Sequence, residues 1–189
     1  MAGGKSERIK IKEKHLAKIR GKPMIQRVIE AVSKSRYVND VYVAVTKNTP
    51  RTLKWLKRNK IDFVVTSGRG YEFDVVEALK ARGVPALVVV ADLPLISTEA
   101  VDNFLRESLS LDYDIITLAV PAQQYLLYGS PRSLNVVKVN NLAAQPIGLS
   151  VFKKIECETW TTILTEMKFE FINVNTVKEL SLVKRVVES

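Results

Sequence analysis

Residues 86–92 read Ala-Leu-Val-Val-Val-Ala-Asp. Six apolar residues in a row, with three consecutive valines, are too few for a helix and form a buried strand that ends on a carboxylate. Strands of this kind belong to parallel sheets with both faces covered by helices. Working outward, the neighbours repeat the theme. Glu72–Arg82 carries Val75, Val76 and Leu79 at helical spacing and is stopped by Gly83. Phe63–Ser67 and Val41–Thr46 are further short apolar strands. Between them Thr49 is expected to cap a helix with Pro50 at its first position and Leu53, Trp55 and Leu56 on its inner face. Pro23–Ser35 is an amphipathic helix before the first of these strands. On the carboxyl side, Thr98–Leu109 opens with a capping sequence, Ser97-Thr98-Glu99, and Ile115–Val120 is a fourth strand.

This β-α-β-α-β-α-β order predicts right-handed crossovers and a doubly wound α/β fold with a mainly parallel, mixed sheet and helices on both faces. Past Val120 the rhythm changes. Pro121–Ser133 reads as a loop, Val136–Val139, Ile147–Phe152 and Phe169–Val174 as later strands, and Val177–Val187 as a last helix. The 189 residues are read as a single domain, 1–189.

Composition narrows the function classes. Hydrophobic residues make up 47% and charged residues 26%, which are globular proportions. A net charge of +9 favours polyanionic partners: nucleic acid, an anionic membrane surface or phosphorylated small molecules. The single cysteine, Cys157, excludes an internal disulfide framework and CxxC metal sites. A single histidine, His15, argues against His-rich metal centres and a Ser-His-Asp triad. No apolar run approaches the ~20 residues of a membrane span, and no apolar signal region follows Met1. The expected location is the cytoplasm. A basic nucleic-acid-binding module is the rival that the charge raises. Against it, the sequence shows no helix-turn-helix, zinc or RNP-type signal and only 7% aromatic residues, so no nucleic-acid partner is expected.

The most informative chemistry lies in Ala2-Gly3-Gly4-Lys5-Ser6-Glu7-Arg8, followed by Lys14 and by Gly21-Lys22-Pro23. Adjacent glycines let backbone N–H groups approach an anion closely. Arg8 and Lys14 are placed to neutralise a triphosphate whose charge grows at a leaving pyrophosphate. A glycine pair also serves as a plain turn, and the cations also suit a solvated face. Asp92 stands at the carboxyl end of a strand, where open α/β sheets bind ligands, and suits Mg²⁺ or a turn before Pro94. Thr66, Ser67 and Gly68 end another strand on the same edge. Gly148 fits either a close backbone approach or a bulge.

The ordered set Gly3-Gly4-Lys5-Ser6-x-Arg8 with Lys14 resembles the signature loop of nucleotidyltransferases of the sugar-nucleotide and molybdenum-cofactor type. Thr66-Ser67-Gly68-Arg69-Gly70-Tyr71, Asp92-Leu93, Gly148 and Asn173-Val174-Asn175-Thr176 follow in order. With them, nearly the whole chain resembles the archaeal adenosylcobinamide-phosphate guanylyltransferases. The resemblance implies a nucleotide-diphospho-sugar-transferase-like fold. It implies GTP as substrate, adenosylcobinamide phosphate as acceptor and Mg²⁺ held by Asp92. Lys14, Arg8 and Asn175 would be the catalytic residues, and Gly3, Gly4, Lys5, Ser67, Gly68 and Gly148 would bind the nucleotide. A homodimer is compatible with it. In that family a central strand precedes the glycine loop. Here the loop follows Met1 directly, so the first strand is expected to be missing. Ile9 replaces the usual Met, and His15 a frequent Pro.

Overall fold

A computed structural model describes residues 1–4, 9, 11–127 and 136–188. In chain order its elements are β1 (Lys18–Ile19), β2 (Lys22–Pro23), α1 (Met24–Ser33), β3 (Val43–Thr46), α2 (Pro50–Arg58), β4 (Phe63–Thr66), α3 (Tyr71–Arg82) and β5 (Ala86–Val89). There follow α4 (Thr98–Ser110), β6 (Ile115–Pro121), α5 (Ala122–Leu127), β7 (Val137–Val139), β8 (Leu142–Phe152), β9 (Trp160–Leu164) and α6 (Val177–Glu188). The fold is α/β, with a mixed sheet and helices on both faces.

The strands run in the order β5-β8-β6-β9, with β7 also on β8, while β3 and β4 form a separate parallel pair. β8 is antiparallel to β5, β6 and β7, and β9 is parallel to β6. The strand β8 thus enters from the opposite direction between two strands that share one direction. Alternation along β5 directs its residues to two layers. Leu87 and Val89 pack with Val28 and Val32 of α1 and Val101 and Leu105 of α4. Val88 packs on the other face, with Val75 and Leu79 of α3.

The first two residues join the two sheets. The Met1 amino group donates to the carbonyl of Val89 at 2.6 Å, Ala91 N–H donates to Met1 O at 3.0 Å, and Ala2 N–H donates to Ala44 O at 2.8 Å. The first pair of bonds is one rung of a parallel ladder, with Met1 opposite Val90. Burial of the amino group pushes its pKa down to about 6, against the pull of Asp92. Behind this rung, between β3 and β5, lies an apolar cleft of about 460 Å³.

Three expectations are corrected. Phe169–Val174 is not a strand: a 3₁₀ turn at Phe169–Phe171 opens it. Its alternating aromatics pack a bend, with Phe171 and Ile172 both buried in the main core. Pro121–Ser133 is not all loop, because Pro121 closes β6 and α5 follows; residues 128–133 lie outside the described residues. Thr49 makes no side-chain cap on α2. Its hydroxyl is turned back, donating to Thr46 O at 3.1 Å and accepting from Thr46 N–H at 3.2 Å. The strand β9 was not anticipated. Its Thr161 and Thr162 dilute the apolar pattern, and Trp160 at its start is 75% exposed.

Candidate active site

The cap on α2 comes from Glu13. Its carboxylate accepts the N–H of Arg51 at 3.0 Å, the N–H of Thr52 at 2.5 Å and the Thr52 hydroxyl at 2.7 Å. An anion at a helix N-terminus satisfies otherwise orphaned donors and meets the positive end of the helix dipole. Glu13 adopts a left-handed conformation (φ 54°), and this turns the chain into the 3₁₀ turn Lys14–Leu16. The buried anchor at Glu13 therefore fixes where Lys14 starts.

Lys14 Nζ donates to Asp92 Oδ2 at 2.6 Å, to Asn175 Oδ1 at 2.7 Å and to the carbonyl of Val174 at 2.8 Å. These partners come from the end of β5 and from the segment before α6. Asp92 O accepts Val174 N–H at 2.8 Å, which ties the two segments together. Asn175 is held in turn by a capping box at the start of α6. Thr176 Oγ accepts Glu179 N–H at 3.3 Å, and the buried Glu179 carboxylate accepts the N–H groups of Asn175 (2.7 Å) and Thr176 (2.8 Å).

This clamp lines one wall of a cleft of about 530 Å³. Gly3, Gly4, Asn48, Gly68, Arg69, Tyr71 and Asp74 line the rest together with His15. Of the sequence-predicted residues, the structure brings together Gly3, Gly4, Lys14, Gly68, Asp92 and Asn175. Gly3 has a steric reason: a Cβ there would lie 2.5 Å from Thr46 Cγ2, and Thr46 Oγ1 donates to Gly3 O at 3.0 Å. Gly68 N–H is held by Asp74 Oδ1 at 2.8 Å. Ser67 does not line the cleft; its N–H and hydroxyl both donate to Glu77, at 2.7 and 2.8 Å. Gly148 also lies off the cleft, in β8, with a positive φ of 86°. A Cβ at Gly148 would lie 2.4 Å from Val90 Cγ2. Lys5 and Arg8 lie outside the described residues.

His15 is 3% exposed, and burial pushes its pKa down to about 4. Among the described residues, its Nε2 and the Oδ1 of Asp92 are buried without a hydrogen-bond partner. The vacant Asp92 Oδ1 and the nearby Asn175 amide oxygen are hard donors, the type that Mg²⁺ takes alongside substrate phosphates. No cluster of three His, Cys, Asp or Glu side chains suited to a metal occurs among the described residues. The donor set therefore fits an ion that completes its shell on a phosphate, not an all-protein cage.

Sequence reasoning missed Glu13, Asn48, Asp74 and Glu179. Thr176-x-x-Glu179 is a capping-box pattern, the signal by which Glu179 could have been found. Glu13 is one charge in a strongly basic stretch, and its partners on α2 are 38 and 39 residues away. No local pattern marks it.

A mixed α/β sheet with a glycine-lined, lysine-bearing cleft at its strand ends suits the class of proteins that bind phosphorylated ligands there. Residues 1–154 match the model of the MobA-like NTP transferase domain, and the chain belongs to that family of nucleotidyltransferases. It is 29% identical over 135 residues to the adenosylcobinamide-phosphate guanylyltransferase of Methanocaldococcus jannaschii, covering 66% of this chain and 68% of that one. It is 32% identical over 127 residues to the bifunctional protein GlmU of Nitratidesulfovibrio vulgaris, covering 64% of this chain but only 28% of GlmU. Among solved structures, it resembles a CMP:2-keto-3-deoxy-manno-octonic acid synthetase complexed with CTP (TM-score 0.74, 17% identity, 96% of this chain and 93% of that one). It also resembles the 4-diphosphocytidyl-2C-methyl-D-erythritol synthase of Anaerococcus prevotii (TM-score 0.67, 12% identity, 100% and 93%). These likenesses establish the nucleotide-diphospho-sugar-transferase fold. Asn175 and Val174 lie beyond the residues matched by the family model.

Proposed function

We propose that the protein transfers GMP from GTP to the phosphate of adenosylcobinamide phosphate, forming adenosylcobinamide-GDP and releasing pyrophosphate. The carrying observation is the Lys14 clamp, in which residues 14, 92 and 175 meet in the cleft that Gly3 and Gly4 also line. The choice of GTP and of the acceptor rests on the Methanocaldococcus relative.

In this reading an acceptor phosphate oxygen attacks the α-phosphorus of the nucleotide. The new P–O bond forms as the bond to the β-phosphate oxygen breaks, and the electron pair leaves with pyrophosphate. No protein nucleophile is needed, because the acceptor oxygen is already anionic. Gly3 and Gly4 present an unobstructed backbone to the triphosphate. Arg8 and Lys5 add positive charge to the same loop. Lys14 offsets charge that grows at the α-phosphate, and Asp92 and Asn175 hold its ammonium in place. Asp92 and Asn175 would also hold Mg²⁺, which when bound neutralises phosphate charge. Gly68, with Ser67 beside it, borders the nucleoside end of the cleft. Gly148 lies off the cleft and would act on it through Val90, which it packs against and which lines the cleft.

The test is pyrophosphate release with GTP, ATP, CTP or UTP against adenosylcobinamide phosphate, a molybdopterin and a hexose 1-phosphate. Turnover confined to GTP and the cobinamide is expected. Faster turnover of another pair would keep the transferase and replace the substrates. No turnover with any pair would remove the reading.

A further inference from the structure

Among the described residues, two carboxylates line the cleft that holds Lys14, and they stand in different company. Asp92 accepts the Lys14 ammonium at 2.6 Å. Asp74, on the first turn of α3, is only 6% exposed, yet no ion pair among the described residues includes it. Arg69, the cation of the adjoining loop, is engaged elsewhere. It donates to Glu77 Oε1 at 3.2 Å and lies over the Phe73 ring, 5.1 Å from its centroid. A buried carboxylate without a counter-ion repels a triphosphate and is costly unless N–H or O–H donors meet it. Part of that need is met locally. Asp74 Oδ1 accepts Gly68 N–H at 2.8 Å, the Asp74 N–H donates to Gly70 O at 2.9 Å, and the carboxylate sits at the positive end of the helix dipole. These bonds fix the carboxylate against the glycine loop. The other oxygen, Oδ2, accepts no hydrogen bond among the described residues and is not sealed off, so it opens to the cleft.

The acceptor beside Gly68 needs a ligand that donates. The phosphates of a nucleotide only accept, which leaves the ribose hydroxyls and the edge of the base. Among the four common bases, guanine presents two adjacent donors on one edge, N1–H and the N2 amino group. The two oxygens of a carboxylate match that pair. Adenine and cytosine place an acceptor nitrogen beside their amino group, and uracil flanks its single N–H with two carbonyls. Each of these sets a lone pair against the carboxylate. We propose that Asp74 is the residue that reads the base and confines it to guanine. Oδ2 accepts one of the two N–H groups, and Oδ1, shared with Gly68 N–H, accepts the other. Glu77 is a positioning residue for this contact. It holds Ser67 through the backbone N–H at 2.7 Å and the hydroxyl at 2.8 Å, which keeps the loop carrying Gly68 from shifting. The inference rests on the GTP reading above and supplies the residue that enforces it.

Equilibrium binding of nucleotides to the full chain tests it without an acceptor. The unaltered protein should bind GTP ahead of ATP, CTP and UTP. ITP, which lacks the N2 amino group, should bind about tenfold more weakly than GTP, and 1-methyl-GTP about 10²-fold more weakly. Asp74→Asn replaces one acceptor oxygen by an amide donor and keeps an oxygen for Gly68. XTP carries a carbonyl where GTP carries the amino group, so the variant should lose about 10²-fold in GTP affinity and bind XTP ahead of GTP. Preference of the unaltered protein for another base removes the GTP reading and this proposal with it. Preference for GTP, with ITP and 1-methyl-GTP bound as tightly, keeps that reading and overturns the role of Asp74. A folded Asp74→Asn variant that weakens all nucleotides alike, or still binds GTP ahead of XTP, does the same. A uniform loss in the variant, with 2′-deoxy-GTP bound poorly by the unaltered protein, moves the carboxylate to the ribose and also overturns it. The analogue series uses the unaltered chain, so it decides the matter even where the variant fails to fold.

Discussion

Lys14 carries its ammonium into three oxygens supplied by residues 78 to 161 positions away. Substitution removes both a charge aimed at the cleft and the counter-charge of a largely buried carboxylate. Lys14→Ala is expected to lower the transfer rate by about 10²–10³-fold while GTP affinity changes less than about tenfold; single-turnover kinetics beside equilibrium binding separate the two. Wild-type turnover would remove Lys14 from the chemistry. Gly148 makes a contrasting case. Its positive φ and the 2.4 Å approach to Val90 leave no room for a methyl group, so Gly148→Ala should cost about 1–3 kcal/mol of stability, read as a lower denaturation midpoint. His15 gives a pH signature. Its unfolded pKa is 6.5 and its folded value about 4, so between these pH values the unfolded chain holds a proton that the folded chain refuses. Stability therefore falls as pH drops from 6.5 to 4, by about 3 kcal/mol at most, and His15→Phe should flatten that part of the curve. The Met1 amine acts with the same sign between pH 6 and 8.

At the level of elements, Glu13 and the capping box of α6 are the two supports of the clamp. Glu13→Gln keeps the shape but weakens three hydrogen bonds at the start of α2. A loss of about 1–2 kcal/mol is expected, together with a lower transfer rate because the Lys14 turn loosens; calorimetry and kinetics on one sample check both. Much of this level was legible in the sequence. Helices α1 to α4 and strands β3 to β6 announce themselves through periodicity, Gly83 and short valine runs, each a property of neighbouring residues. What escaped depends on partners distant in the chain. Trp160-Thr161-Thr162 becomes a strand because β6 offers it an edge. Thr49 keeps the N-cap position, but the side-chain cap on α2 comes from Glu13, 38 and 39 residues from its partners. Lys14 was legible from the glycine-loop motif and Asp92 as a strand-end carboxylate, whereas Asn175 was reached only through the family resemblance. Their direct contact was not legible, because spacing carries no information about which segments meet.

For the whole molecule, the +9 charge and the two clefts make different demands. Nucleotide binding to the folded state raises apparent stability by mass action. GTP should raise the thermal midpoint more than ATP, CTP or UTP, each tested with and without Mg²⁺. Equal shifts for all four would show that the base is not read. The Lys14 clamp also has a temporal side. It joins the fourteenth residue of the chain to the hundred and seventy-fifth, so it is among the last contacts that a growing polypeptide can make. The residues of β3 to β6 emerge well before Asn175, whereas a domain generally folds as a unit. A chain halted after β9 would contain the residues of every strand, yet Val174 and Asn175 would not have been made. The clamp can therefore close only once the segment before α6 has been made.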